Sequence, residues 1–143
     1  MTASDVDDTM EAFAKEGLLL KKSSKKLLGV AKWKKRYAVL EGRNLLLYVD
    51  KSRKELKKEI DMKKVTQVFF HYDENAPKKS KKIDEKGIEE SRFDIYTTNK
   101  RFKFKTKDDN IWESQAWVKS FKKFAEYYNP NYGGDDDDDD SDE

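Results

Sequence analysis

The hydrophobic pattern of this chain changes its period once, close to residue 110. Before that point, segments such as residues 101–106 alternate apolar and charged side chains, which is the two-residue period of a β-strand. After it, aromatic residues recur at the spacing of one helix face, at Trp117, Phe121, Phe124 and Tyr128. Because a single helix cannot bury such a face alone, we predict that it packs across one opening of a curved β-sheet.

Seven segments ahead of the helix have strand character, and the short turns between several of them favour antiparallel neighbours. The predicted fold class is therefore mainly β: a seven-stranded, bent antiparallel sheet, or partly open barrel, capped by one C-terminal α-helix. Residues 23–31 and 73–90 are polar and are predicted to be loops. The predicted strands span residues 16–22, 32–40, 45–49, 57–61, 65–72, 92–97 and 101–106.

Acidic and basic residues are segregated along the chain. Residues 15–132 contain all 31 Lys and Arg but only 17 of the 29 acids, a net charge of +14, whereas residues 1–14 and 133–143 contain twelve acids and no base. The acidic ends lack apolar periodicity, so we predict that residues 1–13 and 131–143 are disordered and that residues 14–130 form one domain. A body this basic favours anionic partners: phosphates, anionic membranes, nucleic acids or acidic proteins.

The sequence lacks the usual patterns of catalytic and metal-binding sites. Its one histidine, His71, lies in an apolar strand segment, and there is no cysteine, so no set of nucleophile and base can be assembled. There is no glycine-rich phosphate loop and no metal-ligand spacing, and the acidic run 135–140 lacks the preorganised turn of a calcium loop. We therefore predict a binding protein without enzymatic activity, metal or cofactor.

Three cations are predicted to meet where the first two strands adjoin. Lys21 lies near the end of strand one, whereas Lys34 and Arg36 lie near the start of strand two. In an antiparallel hairpin these ends are adjacent, and alternation puts the three side chains on the face that continues as Leu19 and Ala38. Like charges this close repel one another, so the arrangement favours a polyanionic ligand.

The predicted loop between these strands combines cations with aliphatic side chains, which suits a membrane surface. The lysines are expected to meet head groups while the aliphatic side chains enter the acyl region. The alternative is that Leu27 and Leu28 fold back onto the domain. The predicted auxiliary membrane contacts are Lys22, Lys25, Lys26, Leu27 and Leu28.

Several motifs together resemble the pleckstrin-homology (PH) domain family, over about residues 15–128. The resemblance implies a seven-stranded, strongly bent sheet capped by a C-terminal helix, in agreement with the residue pattern. It also implies that the helix tryptophan is the hallmark residue of the family. The motifs are Gly17-x-Leu19-x-Lys21, Trp33-Lys34-x-Arg36-Tyr37-x-Val39-Leu40, Leu46-x-Tyr48, Phe93-x-Ile95-x-Thr97 and Trp117-Val118-x-x-Phe121.

Some members of this family bind 3-phosphorylated phosphoinositides through a lysine in strand one and a basic-x-Arg pattern in strand two. Lys21, Lys34 and Arg36 match these positions. Tyr48 matches a strand-three tyrosine that contacts a phosphate, and Lys57 matches a strand-four cation. The resemblance thus implies binding of phosphatidylinositol 3,4,5-trisphosphate or 3,4-bisphosphate. The short connection 97–101 lacks an insertion that supplies further ligands in some members, so the choice among these lipids stays open.

The predicted function is a monomeric phosphoinositide-binding module in signalling, cytoplasmic and recruited peripherally to the plasma membrane. The alternative is a protein-binding adaptor with only nonspecific attraction to anionic membrane or nucleic acid. Nucleic acid is the less favoured ligand, because the basic run 78–82 is typical of a solvated loop and residues 102–105 alternate as a strand does. Residues 135–143 either fold back onto the cations and compete with lipid, or keep a basic protein soluble.

Overall fold

One seven-stranded antiparallel sheet and a long C-terminal helix make up the fold. The computed structural model describes residues 10–27, 30–81 and 91–133, with side chains described outside 24–31. The strands are β1 (Lys15–Leu27), β2 (Val30–Glu41), β3 (Asn44–Tyr48), β4 (Leu56–Asp61), β5 (Val65–Phe70), β6 (Phe93–Thr97) and β7 (Arg101–Lys105). The helices are α1 (Lys78–Lys81) and α2 (Ile111–Tyr128), and 3-10 turns span Met62–Lys64 and Lys107–Asp109.

The strands lie in the order β4-β3-β2-β1-β7-β6-β5, and each neighbouring pair is antiparallel. β4 and β5 are the two edges of this order, so the sheet bends without closing into a full barrel. Between β2 and β3, Glu41 pairs with Asn44, and the chain turns at Gly42 with a φ of 66°, a left-handed conformation that glycine adopts at little cost. The predicted fold class is confirmed.

The inner face of the sheet packs against α2 and forms the core. Phe121 of α2 lies with its ring centroid 5.8 Å from that of Phe93 and 6.4 Å from that of Phe104, and Trp117 stacks on Phe121 at 5.5 Å. All four side chains are fully buried. Truncating an aromatic residue in such a core costs about 3–5 kcal/mol. The predicted role of the helix as a cover for the sheet is therefore correct.

The β1–β2 hairpin is longer than the sequence predicts. β1 continues to Leu27 and β2 begins at Val30, so most of the predicted loop 23–31 belongs to strands. The register of the pair shifts between Lys22 and Lys26, where β1 contains more residues than β2. The loop prediction fails because backbone pairing in a hairpin does not require apolar alternation, which this stretch of lysine and serine lacks.

The folded unit extends past both predicted boundaries, residues 14 and 130. At its start, Met10 is buried in the core. At its end, the Tyr132 hydroxyl accepts a hydrogen bond from the Val68 amide at 3.2 Å, and the Gly133 amide donates to the Thr66 carbonyl at 2.8 Å. Residues after α2 thus cover backbone groups of the edge strand β5. The predicted disorder of residues 1–9 and 134–143 concerns positions outside the described residues and stays a prediction.

A buried ion pair lies on the outer face of β6, beneath α1. Arg92 donates from Nε and Nη2 to the Asp94 carboxylate, each at 3.1 Å, and both side chains are almost fully buried. Ser80 of α1 donates to the same carboxylate at 2.7 Å, and the Lys79 carbonyl accepts from Arg92 at 3.1 Å. This helical turn falls in the segment 73–90 predicted as a loop, because three lysines around one serine show no apolar stripe.

Candidate functional site

The cross-strand register of β1 and β2 brings three predicted site residues together. Lys21 pairs with Lys34, and Leu19 pairs with Arg36. Paired residues of an antiparallel sheet project to the same face, so Lys21, Lys34 and Arg36 share the inner face with the fully buried Leu19. The three cations begin where the apolar core row of the two strands ends.

The environment of Lys21 shows how closely the cations converge. Its side chain is half-buried, and its pKa is lowered first by burial and then by the charges of Lys58, Arg36, Lys100 and Lys34. Strands β1, β2 and β4 and the β6–β7 turn therefore all contribute a cation to one opening of the sheet. We call these five residues the basic rim: Lys21, Lys34, Arg36, Lys58 and Lys100.

Two of the rim lysines lie near the same aromatic ring. The ammonium groups of Lys21 and Lys58 lie 5.6 Å and 5.3 Å from the ring centroid of Phe102. Phe102 pairs with the buried Ile95, so its ring belongs to the inner face. The ring offers both ammonium groups a cation–π contact, which offsets part of their mutual repulsion.

Arg36 is held by its own strand. Its Nη1 donates to the carbonyl of Lys35 at 2.7 Å, which fixes one side of the guanidinium. A guanidinium has five N–H donors in a planar fork, so this bond leaves donors for an anion. Lys35 itself is exposed and lies between Lys34 and Arg36 in the strand, so its side chain projects from the opposite, outer face.

The strand-four cation at the rim is Lys58 and not the predicted Lys57. Lys58 pairs with the buried Leu47 and therefore projects to the inner face, whereas the Lys57 ammonium lies 3.5 Å from the Glu55 carboxylate. A register irregularity between Leu47 and Tyr48 separates these two positions. The sequence did contain a signal that favours Lys58. Ile60 is the apolar residue of the predicted strand 57–61, and Lys58, two positions before it, must project to the same face.

Tyr48 does not join the rim. It pairs with Tyr37, which follows Arg36 in β2 and projects to the outer face. There the Tyr37 hydroxyl donates to the Glu16 carboxylate, and Arg53 forms an ion pair with the same carboxylate at 2.7 Å. The pKa of Glu16 is lowered by these two hydrogen bonds. The family motif predicts that Tyr48 contacts the ligand, whereas the register of β2 with β3 puts its side chain on the outer face, away from the rim.

The predicted auxiliary membrane contacts are only partly described. Lys22 lies on the outer face, with its ammonium 5.4 Å from the ring centroid of Trp33. The side chains of Lys25, Lys26 and Leu27, and all of Leu28, lie outside the described residues.

A second group of cations lies on the outer face, and two of its members contact the ring of Trp33. The Lys105 ammonium lies 4.8 Å from the Trp33 ring centroid, on the same ring as Lys22. Beside them, burial and then the charges of Arg101, Arg92 and Lys22 lower the pKa of Lys103 to about 8, against the opposing charge of Asp94. Sequence reasoning missed this group because it depends on the pairing of β1 with β7, which are distant in the chain. We call it the outer cluster: Lys22, Trp33, Arg101, Lys103 and Lys105.

The described ranges contain neither a cluster of metal-binding side chains nor a helix that could span a membrane. No group of three or more His, Cys, Asp or Glu side chains there is arranged to bind a metal ion. None of the helices in the same ranges combines the length and apolar character needed to cross a membrane.

Known proteins resemble this chain in family and in fold. The family model of the PH domain matches residues 13–126. No curated protein matches the chain. The structure is similar to the PH domain of human pleckstrin homology domain-containing protein family A member 5, with 22% identity and a TM-score of 0.56 over 78% of this chain and 75% of that chain.

Two further solved structures show the same fold. The N-terminal PH domain of human ARAP2 is 16% identical, with a TM-score of 0.56 over 90% of this chain and 93% of that chain. The Slm1 PH domain, solved in complex with inositol 4-phosphate, is 19% identical, with a TM-score of 0.55 over 77% of this chain and 94% of that chain. At these identities the likeness establishes the architecture and leaves the ligand to be argued from the side chains.

Proposed function

The chain belongs to the PH domain family, and from this membership together with the basic rim we propose that it is a membrane-recruitment module that binds phosphoinositide head groups. The observation that carries the proposal is the convergence of Lys21, Lys34 and Arg36 on one inner-face opening, with Lys58 and Lys100 beside them. Crowded cations of this kind are stabilised by a ligand that carries several negative charges.

The chemistry of the rim suits several phosphates on one small ring. The Arg36 guanidinium can grip two oxygens of one phosphate, whereas Lys21 and Lys34 act as point charges with rotatable donors. Each charge-assisted hydrogen bond contributes about 1.5–3 kcal/mol net. The excess positive charge of the folded body adds attraction to an anionic leaflet, at about 1 kcal/mol for each cation near the surface. The Slm1 neighbour is solved in complex with inositol 4-phosphate, which supports a phosphorylated inositol as the class of ligand. Its ligand binding is in a non-canonical site, so the position of the site in this chain rests on the rim alone.

The finer assignments extend this proposal. We infer a preference for 3-phosphorylated lipids from the Lys21, Lys34 and Arg36 motif, since these positions match those of family members with that preference. We further propose that the protein acts as a monomer in the cytoplasm and is recruited peripherally to the plasma membrane during signalling.

Vesicle co-sedimentation across the full series of phosphoinositides tests the proposal. We expect the wild type to prefer 3-phosphorylated lipids and Arg36→Ala to lose about tenfold to a hundredfold in affinity, the value of one charge-assisted bond. Lys35→Ala is the matched control, because it removes one adjacent charge from the outer face and keeps the carbonyl that holds Arg36. Its affinity should fall by no more than about fivefold, the value of about 1 kcal/mol for one surface cation.

Two results would count against the proposal. Equal binding of wild type and Arg36→Ala to plain phosphatidylserine vesicles, with no phosphoinositide preference, would indicate nonspecific attraction. Equal losses in Arg36→Ala and Lys35→Ala would show that net charge matters and the rim does not. Either result would favour the alternative, a protein-binding adaptor with background affinity for anionic surfaces.

The outer cluster favours a second anion contact on the same molecule. Lys103 is crowded by three cations, while the acidic neighbour Asp94 already accepts hydrogen bonds from Arg92 and Ser80 and lies 3.7 Å from the guanidinium of Arg101. An anionic lipid next to the first one would relieve this crowding. The double change Lys103→Met and Lys105→Met is then expected to weaken binding to mixed anionic vesicles and to leave the affinity for a soluble inositol polyphosphate unchanged. Equal effects on both ligands would contradict a separate contact.

A further inference from the structure

We propose that the acidic segment 135–143 docks on the basic rim and competes there with anionic head groups. The juxtaposition that supports it is the position of Gly133, which is fixed at the start of β5 beside the strands that lead to the rim. The contact itself does not depend on lipid. Only its consequence, competition with a head group, rests on the proposed function.

The last described residues fix where the acidic segment begins. The Gly133 amide donates to the Thr66 carbonyl at 2.8 Å, and the Asn129 side chain donates to the Val65 carbonyl at 2.7 Å. The Tyr132 hydroxyl accepts from the Val68 amide, and burial raises the pKa of this tyrosine to about 12. Residues 129–133 are thereby attached to one edge strand, so the chain leaves the fold from a defined place.

The way from this place to the rim is short. Val65, next to the anchor of Gly133, pairs with Thr97, and the Thr97 amide donates to the Lys100 carbonyl at 2.8 Å. Burial is the first cause that lowers the pKa values of Lys21 and Lys58, and the charge of the nearby Lys100 lowers both further, so Lys100 belongs to the rim. Neighbouring strands lie about 4.8 Å apart and an extended residue spans about 3.3 Å, so a few residues beyond Gly133 can cross from β5 past β6.

The charges of the two partners are complementary. Residues 135–143 contain eight acids and no base, whereas the rim contributes five cations. Burial first, and then the charges of four neighbours, hold the pKa of Lys21 below its usual value, so an anion that enters the rim relieves repulsion that is already present. A segment joined by a short linker acts at an effective concentration of the order of millimolar, so individually weak aspartate contacts are sufficient.

The acidic segment is expected to bind the rim more weakly than a phosphoinositide head group does, and it belongs to the protein itself. Aspartates are singly charged and spread along a chain, whereas an inositol polyphosphate concentrates several charges on one ring. A membrane that carries the lipid therefore displaces the segment, and a membrane without it does not. The segment would raise the threshold of lipid density at which the protein is recruited.

The contact can be tested without lipid by nuclear magnetic resonance. Wild-type chain is compared with a full-length variant that carries the six changes Asp135→Asn, Asp136→Asn, Asp137→Asn, Asp138→Asn, Asp139→Asn and Asp140→Asn, which keep length and polarity. We expect backbone amide shift differences at Lys21, Lys34, Arg36 and Lys100 that fade at about 0.5 M salt, as screened charge contacts do. Differences confined to the outer cluster, or none at all, would overturn the proposal.

A second arm separates this inference from the proposed function. At low salt we expect the asparagine variant to bind phosphoinositide vesicles about fivefold more tightly than the wild type, because the competitor is removed. Equal vesicle affinity, with no amide shift differences, would refute the docking while the lipid proposal stands. Rim shifts in a protein that binds no phosphoinositide vesicle would support the docking and refute the lipid proposal.

Discussion

Lys21 lies directly opposite Lys34 in the antiparallel pairing of β1 with β2. Opposed like charges destabilise a sheet, and the half-buried position of Lys21 adds a desolvation penalty to its charged form. The fold keeps these two cations together against their own repulsion. Binding of an anion and stability of the free protein should therefore respond in opposite directions to the loss of one of them.

Lys21→Met is predicted to stabilise the protein and to weaken lipid binding. The change keeps the apolar stem near Phe102 and removes a charge that burial and four cations disfavour. We expect the free energy of unfolding at pH 7 to rise by about 0.2–1 kcal/mol, the range for one directly opposed pair of side chains in a sheet, and vesicle affinity to fall by about tenfold. Urea unfolding and co-sedimentation measure the two effects. Loss of both stability and binding would contradict the account.

Lys58→Ala is predicted to weaken lipid binding more than Lys57→Ala. The two residues are adjacent and carry the same charge, but Lys58 lies on the inner face next to Phe102, whereas Lys57 pairs with Glu55. We expect a loss of about fivefold to tenfold for Lys58→Ala and less than about twofold for Lys57→Ala. Calorimetric titration with a soluble inositol polyphosphate gives both values. The opposite ranking would move the strand-four contact back to Lys57.

Lys103 is predicted to titrate near pH 8 in the folded protein, well below its usual value of 10.5. In the unfolded chain it titrates near the usual value, so between about pH 8 and 10.5 the unfolded state binds more protons. The contribution of this group to stability therefore rises with pH across that interval. Carbon-13 titration of the Lys103 side chain measures the pKa, and Lys103→Met should remove the rise. A titration near 10.5 would contradict the crowding described for the outer cluster.

Asp94→Asn is predicted to be strongly destabilising. The change leaves the buried Arg92 without its counter-charge and disturbs the bond to Ser80 that attaches α1 to the sheet. Loss of one partner of a buried pair costs about 3–5 kcal/mol. Glu55→Gln is the control, since it removes the carboxylate from an exposed pair and should cost less than about 1 kcal/mol. Similar unfolding midpoints for the two variants would contradict the structural role of Asp94.

The sequence predicts those parts of the site that depend on strand alternation and one local hairpin. Lys21, Lys34 and Arg36 fall in this class, because a β-strand repeats every two residues and a hairpin pairs the end of one strand with the start of the next. The helix stripe is equally local, since four aromatic residues at helical spacing define one face. These features need no knowledge of distant contacts.

The parts that the sequence does not predict depend on an offset of one residue or on distant strands. A shift of one residue moves a side chain to the other face of a strand, so Lys58 lies at the rim and its neighbour Lys57 does not. The pairing of Tyr48 with Tyr37 on the outer face likewise depends on the exact register of β2 with β3. The outer cluster requires β7 to lie beside β1, a pairing of segments about 80 residues apart that no local pattern specifies. The end of the folded unit at Gly133 likewise depends on contacts with β5.

The inner-face row in which Leu19 is followed by Lys21 also has a consequence for folding. If β1 slid by two residues against β2, every side chain would keep its face, so alternation alone does not prevent the error. The slide would, however, carry Lys21 into the fully buried place that Leu19 occupies, and an unpaired ammonium there costs several kcal/mol. Lys21 therefore destabilises misaligned β1–β2 hairpins, and it does so during folding, in the absence of any ligand. Lys21→Met should consequently populate slipped states during refolding.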